Sequence, residues 1–172
     1  MQQKVICIAN QKGGVGKTTT AINLGTSLAL NDKKTLLVDI DPQGNAGSGL
    51  GFKRDKIKEN IYHVLVLEKE IESIIHKTEV PNLDLIASTI DLIGAEIELV
   101  NLSNREARLR KSLEKIKANY DYLIIDCPPS LGLLTVNALT AADSVLIPLQ
   151  CEYYALEGLS QLLTTIKLVK NR

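Results

Sequence analysis

No stretch of this sequence approaches the roughly 20 consecutive apolar residues that a membrane span needs. The first strand-like run begins almost at the N-terminus, with no basic, apolar-cored leader before it, so a signal peptide is not expected. Cysteine is scarce. Cys7, Cys127 and Cys151 are odd in number and widely spaced, which gives neither a disulfide framework nor a zinc-ligand spacing and points to a reducing, cytoplasmic setting. Excess charge of either sign is also missing, with Lys+Arg 20 against Asp+Glu 20. That balance, with 45% hydrophobic and 23% charged residues, excludes a disordered tail and a globally basic nucleic-acid binder. No internal repeat or low-complexity tract is visible.

The 172 residues suffice for a single domain with a substantial core. Two kinds of apolar segment alternate along them. Short runs rich in β-branched residues or leucine predict buried strands at Val5–Ala9, Thr35–Asp39, Leu83–Ala87, Tyr122–Asp126 and Ser144–Leu149. Their lack of polar alternation fits a parallel sheet covered on both faces. Helical patterns lie between them at Thr18–Leu30, Arg105–Asn119 and Ala155–Lys170, with shorter pieces near Ile61–Leu67 and Ile71–Ile75. The Thr18–Leu30 stripe of Ala21, Leu24, Gly25, Leu28 and Ala29 is small enough for close packing on a sheet. Strand, helix, strand with right-handed crossovers predicts a doubly wound, mostly parallel α/β sheet. The region from Gly44 to Asn82 reads as an irregular excursion from one domain spanning 1–172. The sequence closes on a helix with no strand after it, so a C-terminally truncated form is expected.

The chemistry gathers first at "VICIANQKGGVGKTT", a strand, a glycine-rich turn and a helix start. Backbone N–H groups of such a turn converge on an anion, and the first amides and dipole of the helix add to them. Gly13, Gly14 and Gly16 let the backbone approach phosphates with no Cβ in the way. Lys17 is placed for the β- and γ-phosphates of a nucleotide and the Thr18 hydroxyl for Mg²⁺. The strict pattern G-x-x-x-x-G-K-[ST] fails by one position, because Gln11 stands where its first glycine belongs. A second lysine, Lys12, sits at the other end of the turn.

Two carboxylates leave the second strand in "DIDPQ", Asp39 and Asp41. A period of two places both on one side if the strand persists, at a strand end that faces the ligand crevice of an open α/β sheet. One would hold the water shell of Mg²⁺ while the other orients or deprotonates an attacking water. Asp126 ends the run "YLIID" and would meet the metal through water, with the stiff "CPPS" loop behind it as a γ-phosphate sensor. For each aspartate the simpler alternative is a residue that merely ends a strand or opens a turn.

The variant "KGGVGKT" resembles the deviant phosphate loop of the ParA/MinD group of P-loop ATPases. "LLVDIDPQGNAGSGLG", "YDYLIIDCPPSLGLLTVNAL" and "PLQCEYYALEGLSQLL" are similar to the corresponding blocks of chromosome-partitioning, Soj-type ParA ATPases, in the same order across nearly the whole chain. The resemblance implies ATP and Mg²⁺ as cofactors. It places nucleotide binding on Lys12, Gly13, Gly14, Val15, Gly16, Lys17, Thr18 and Thr19, and metal binding on Thr18, Asp39 and Asp126. It makes Asp41 the hydrolytic residue. It also gives Lys12 a role across a homodimer, reaching the nucleotide of the other subunit as an arginine finger does; the alternative is a solvated lysine beside an anionic site.

The resemblance further implies a slow ATPase stimulated by a ParB-like protein, non-specific DNA binding in the ATP-bound dimer, a nucleoid-associated cytoplasmic location and no membrane. The basic Arg105–Asn119 segment is the best DNA candidate within the sequence, although a solvated helix face is the favoured explanation for it. A MinD-like membrane-positioning ATPase is the alternative, but the last segment is only modestly basic. A small-molecule P-loop ligase is a third reading, without a substrate pocket to announce it. The similarity to nitrogenase iron protein raises an iron–sulfur role for Cys127, yet "DCPPS" differs and no second cysteine is well placed in the middle segment, so a buried thiol is expected. His63 and His76 lack companion ligands and are assigned no chemistry.

Overall fold

The structure, a computed structural model, describes residues 3–150 and 155–170. Its centre is a six-stranded sheet built from the apolar runs. β1 (Lys4–Ile8), β2 (Thr35–Asp39), β4 (Leu83–Ile86), β5 (Tyr122–Asp126) and β6 (Ser144–Leu146) are parallel, in the spatial order β4-β2-β5-β1-β6. An antiparallel edge strand, β3 (Ile75–Lys77), pairs with β4. The doubly wound, mostly parallel sheet expected from the sequence is therefore present.

Both faces are covered. On one, α1 (Lys17–Leu30) lays Ala21, Gly25 and Ala29 against Ile8, Leu37, Leu83 and Ile124. A Cβ at Gly25 would stand 3.4 Å from the Leu83 Cδ1, so the small stripe sets how closely α1 approaches the strands. On the other face α5 (Arg108–Ile116) buries Leu109, Leu113 and Ile116 in a core with Leu36, Val38, Leu123 and Ile125. That core also receives α3 (Ile61–Leu65), α4 (Leu92–Glu98), α6 (Leu133–Ala141) and α7 (Ala155–Lys170), the last through Leu162, Ile166 and Val169. The remaining helix, α2 (Asn45–Gly49), follows β2 and packs near α1.

Several boundaries differ from the sequence expectation. The last strand ends at Leu146 instead of Leu149, since Pro148 has no N–H for the ladder. The Arg105–Asn119 helix starts only at Arg108, where the buried Asn137 of α6 accepts the Leu109 N–H and donates to the Arg105 carbonyl; it closes on a 3₁₀ turn, Lys117–Asn119. Ile71–Ile74 is a 3₁₀ turn, and Ile75, read with it from sequence, opens β3. Cys151 lies outside the described residues. Among the described residues no helix is long and apolar enough to cross a membrane.

Candidate functional site

The carboxyl ends of β1, β2 and β5 meet at one point, because Ile8, Asp126 and Asp39 are register partners across the three strands. The chain leaves β1 into the glycine turn there. Asn10 anchors it, donating from Nδ2 to the Pro148 carbonyl at 2.7 Å and accepting the Lys12 N–H at 3.0 Å. Gly14 (φ 73) and Gly16 (φ 88) adopt the left-handed backbone that glycine permits. Gly16 is the N-cap of α1 and provides no side chain to the first amides of that helix. These amides are the ones a helix start offers to an anion.

Lys17 is the first residue of α1 and is buried. Its Nζ donates to the Lys12 carbonyl at 3.0 Å, so the second lysine of the motif holds the first through its backbone. Burial pulls the Lys17 pKa down, while the charges of Asp126, Asp41 and Cys127 oppose that. The Lys12 side chain, half-buried, sits at the opposite end of the turn.

Three aspartates face this turn in different conditions. Asp39, fully buried, accepts the Asp41 N–H on Oδ1 and the Ala46 N–H on Oδ2, each at 3.0 Å. Both oxygens are thus occupied in shaping the loop after β2. Burial first, then the Asp126 and Asp41 charges, raise its pKa to about 8 against those two backbone bonds. Asp41 does not arrive by strand pleating: β2 stops at Asp39, and Asp41 reaches the same end through a turn, with its Oδ1 accepting the Gln43 N–H at 2.9 Å.

Asp126 is the odd one. It is 0% exposed and, among the described residues, neither carboxyl oxygen accepts a hydrogen bond of good geometry; the Thr18 hydroxyl is the donor that lies beside it. Burial pushes its pKa up to about 7; the neighbouring Thr18 hydroxyl and Lys17 ammonium draw it down, and Asp41 pushes it up. An unpartnered buried carboxyl beside a hydroxyl and a helix start suits a hydrated divalent cation. Among the described residues no group of three acidic, histidine or cysteine side chains exists that would hold a metal unaided. A Mg²⁺ held by Thr18 and Asp126 would need phosphate oxygens and water to complete its shell, as is usual for that ion in phosphate sites. The residues therefore fit the magnesium–nucleotide pair.

The other sequence candidates separate cleanly. Cys127 is buried, with its Sγ 3.3 Å from that of Cys7, which comes from β1 and not from the middle segment. Burial pushes the Cys127 thiol well up. His63 caps α3, its Nδ1 accepting the Asn60 N–H, and His76 packs on the Phe52 ring at 5.6 Å. Most of the basic residues of the Arg105–Asn119 segment pair with acids: Arg105 with Glu106, Arg108 with Glu68, Arg110 with Glu114 and Lys115 with Glu70, and, in the following turn, Lys117 with Asp143; Lys111 is exposed.

Sequence reasoning missed Asn10 and Glu96. The Glu96 carboxylate accepts the Leu133 and Leu134 N–H groups at 2.9 and 3.4 Å, capping α6 directly after the Pro128–Pro129 loop. Glu96 carried no legible signal; Asn10 lay between the first strand and the glycine turn, but its partner Pro148 is 138 residues away.

Residues 3–172 match the family described as AAA domain. The chain is 66% identical over 167 residues to the chromosome partitioning protein ParA of Myxococcus xanthus, covering 97% of this chain and 59% of that protein. It is 64% identical over 167 residues to the sporulation initiation inhibitor protein Soj of Bacillus subtilis, covering 97% of this chain and 66% of that protein. It thus spans roughly three fifths of the length of these curated relatives. A solved structure of cobyrinic acid a,c-diamide synthase from Mycobacterium smegmatis, with bound ATP analogue and magnesium, superposes with a TM-score of 0.94 at 43% identity, covering 99% of this chain and 69% of that one. A phosphate turn of this geometry, on a sheet of this order and in a sequence this close to those proteins, places the chain in the AAA domain family, among its ParA/Soj-type ATPases.

Proposed function

We propose that this domain binds Mg-ATP on the turn after β1 and acts as an ATP-dependent dimerisation switch in chromosome or plasmid partitioning. The observation that carries the reading is the buried, unpartnered Asp126 facing Thr18 and the start of α1. The relatives named ParA and Soj supply the partitioning context, and the neighbour holding an ATP analogue with magnesium supports the cofactor pair.

In this reading the amides of Gly13, Gly14, Val15 and Gly16 cradle the phosphates, and those of Lys17, Thr18 and Thr19 add the helix start. Lys17 leaves the Lys12 carbonyl for the β- and γ-phosphates. Thr18 and Asp126 would hold the metal, Asp126 through water. When bound, magnesium neutralises charge developing on the phosphates. Asp39 acts less as a ligand than as a brace, since both its oxygens are spent on the loop that carries Asp41. Asp41 orients the attacking water, and Lys12 reaches the nucleotide of a second copy. Hydrolysis is slow until a ParB-like partner stimulates it, and the dimer binds DNA non-specifically at the nucleoid. With Arg108, Arg110 and Lys115 already paired to acids, α5 makes a poor DNA surface.

Co-sedimentation with DNA and with liposomes, each with and without ATP, tests the proposal: ATP-dependent DNA binding is expected. Liposome binding would favour the membrane-positioning alternative. The ligase reading, favoured only by the name of the mycobacterial neighbour, would need turnover that depends on a small-molecule substrate and not on DNA.

A further inference from the structure

α6 begins without a cap of its own. Its N-cap is Gly132, which has no side chain to offer the first amides of the helix. The Glu96 carboxylate of α4 fills that place, with Oε2 accepting the Leu133 N–H at 2.9 Å and Oε1 the Leu134 N–H at 3.4 Å. A helix start favours negative charge, and hydrogen bonds to a charged acceptor are stronger than neutral ones. Gly132 belongs to the same fitting. Its φ of −76° and ψ of −171° are open to any residue, so the backbone does not demand glycine there. The carboxylate does: a Cβ on Gly132 would stand 2.7 Å from the Glu96 Cδ and nearer still to both oxygens.

The loop anchored in this way runs from Asp126 to α6. At its start the Cys127 N–H donates to the Ile8 carbonyl of β1 at 3.2 Å, just before the phosphate turn. Pro128 and Pro129 bring no N–H. The Ser130 carbonyl accepts the Thr135 hydroxyl at 2.7 Å, which ties the loop to the first turn of α6. Asp126, Cys127 and Pro128 are buried, while Pro129 and Ser130 form an exposed tip. Where α6 starts therefore sets where the tip lies, and Glu96 holds that start. A cap serving α6 alone needs only a serine or aspartate at the N-cap. Here it comes from 37 residues upstream, on a helix also joined to the other acid loop. The Ser88 carbonyl, ahead of α4, would stand 2.7 Å from a Cβ on Gly44, whose N–H donates to the Asp41 carbonyl at 2.9 Å.

We propose that Glu96 is a positioning residue of the nucleotide site, holding the Pro129–Ser130 tip through α6 so that the loop after Asp126 distinguishes a nucleoside triphosphate from a diphosphate. This role presupposes the Mg-ATP reading above and adds a specificity to it. Asp126 and Thr18 mark the end of the turn at which the last phosphates lie, and the loop departs from that point. A triphosphate gains the contact with the held tip, and a diphosphate ends short of it. Glu96 itself touches no nucleotide.

Isothermal titration calorimetry with Mg-ADP and with Mg²⁺ plus a non-hydrolysable ATP analogue tests this on wild type, Glu96→Ala, Glu96→Gln and Gly132→Ala. Wild type should prefer the analogue. Glu96→Ala should lose about 10-fold of that preference, the scale of one hydrogen bond to a charged group, entirely through analogue affinity and with ADP affinity unchanged. Gly132→Ala should do the same by displacing the carboxylate, and Glu96→Gln, which keeps one acceptor oxygen, should fall between. Should Glu96→Ala fail to fold, the other two variants carry the same comparison. Variants that keep the wild-type preference overturn the proposal, as do variants that lose ADP and analogue affinity in parallel, because the cap would then be merely structural. A wild type that binds both ligands equally also overturns it, with nucleotide binding intact. A wild type that binds neither removes the Mg-ATP reading itself.

Discussion

Two buried aspartates, one at each end of the sheet, live under opposite conditions. Asp84, at the amino end of β4, accepts the Tyr120 hydroxyl and the Lys77 ammonium on the same oxygen, both at 2.8 Å. Beside it lies a cleft of about 400 Å³ lined partly by Lys34, Lys77, Asn82 and Tyr120. Asp126, at the carboxyl end of β5, is more deeply buried, and among the described residues neither of its oxygens accepts a hydrogen bond of good geometry, with only the Thr18 hydroxyl beside it. The two ends teach different lessons about buried charge. An acid satisfied by its own protein contributes to folding, whereas an unsatisfied one costs stability and is retained when a ligand completes it. By this measure the cleft beside Asp84 belongs to the scaffold and the narrow turn beside Asp126 to the chemistry.

The contrast breaks most visibly at Lys17. Lys17→Ala should lower Mg-nucleotide affinity by about 100-fold or more, some 3 kcal/mol for a charge-assisted hydrogen bond to phosphate in a buried site. Isothermal titration calorimetry reads it, and Asp84→Asn measured in parallel should bind as wild type does.

Next in size is the pair of aspartates themselves. Asp84→Ala strands the Tyr120 hydroxyl and should destabilise the protein by roughly 1–3 kcal/mol in urea unfolding, with nucleotide affinity preserved. Asp126→Asn should do the reverse, leaving the nucleotide-free protein as stable or more so while weakening Mg-nucleotide binding. If both variants merely destabilise, the distinction between the two ends fails.

Acidity sharpens the same contrast. Burial raises Asp126 to about 7 and Asp39 to about 8 in the folded chain, against about 4 when unfolded. The folded state therefore favours the protonated forms. Their contribution is complete below about pH 4 and is lost as the pH rises through about 7 to 8. The urea midpoint of nucleotide-free protein should fall between pH 5 and pH 8, and the fall should shrink in Asp126→Asn.

Smaller changes concern residues outside both acid sites. Lys12→Ala should leave monomeric nucleotide binding nearly intact while losing ATP-dependent dimerisation or hydrolysis; abolished monomer binding would refute a role across the dimer. Arg110→Ala, which breaks an exposed pair with Glu114, should change stability by no more than about 0.5 kcal/mol and DNA co-sedimentation not at all.

Much of the scaffold was legible in the sequence because buried parallel strands announce themselves as continuous apolar runs. Thr35–Asp39 and Tyr122–Asp126 match their expected bounds, and α1 buries most deeply the small residues of its stripe. Elements with weaker periodic signals escaped. α6 is apolar nearly all round, so no stripe marks it, and α4 has two apolar sides that mask one another. β3 is three residues long and owes its conformation to β4. The sequence placed Asp39, Asp41 and Asp126 at the same end of the sheet, where the structure also has them, but it did not show their conditions. No spacing rule reveals that Asp39 spends both oxygens on backbone amides or that Asp126 spends none, because each depends on what the folded loops bring near it.

A crystal structure grown with Mg²⁺ and a non-hydrolysable ATP analogue addresses the central claim most directly. It should show the phosphates along the amides from Gly13 to Thr18, the metal beside the Thr18 hydroxyl, and Asp126 one water away from it. An analogue seated elsewhere, with the turn after β1 bare and Asp126 still facing no ligand, would contradict the account.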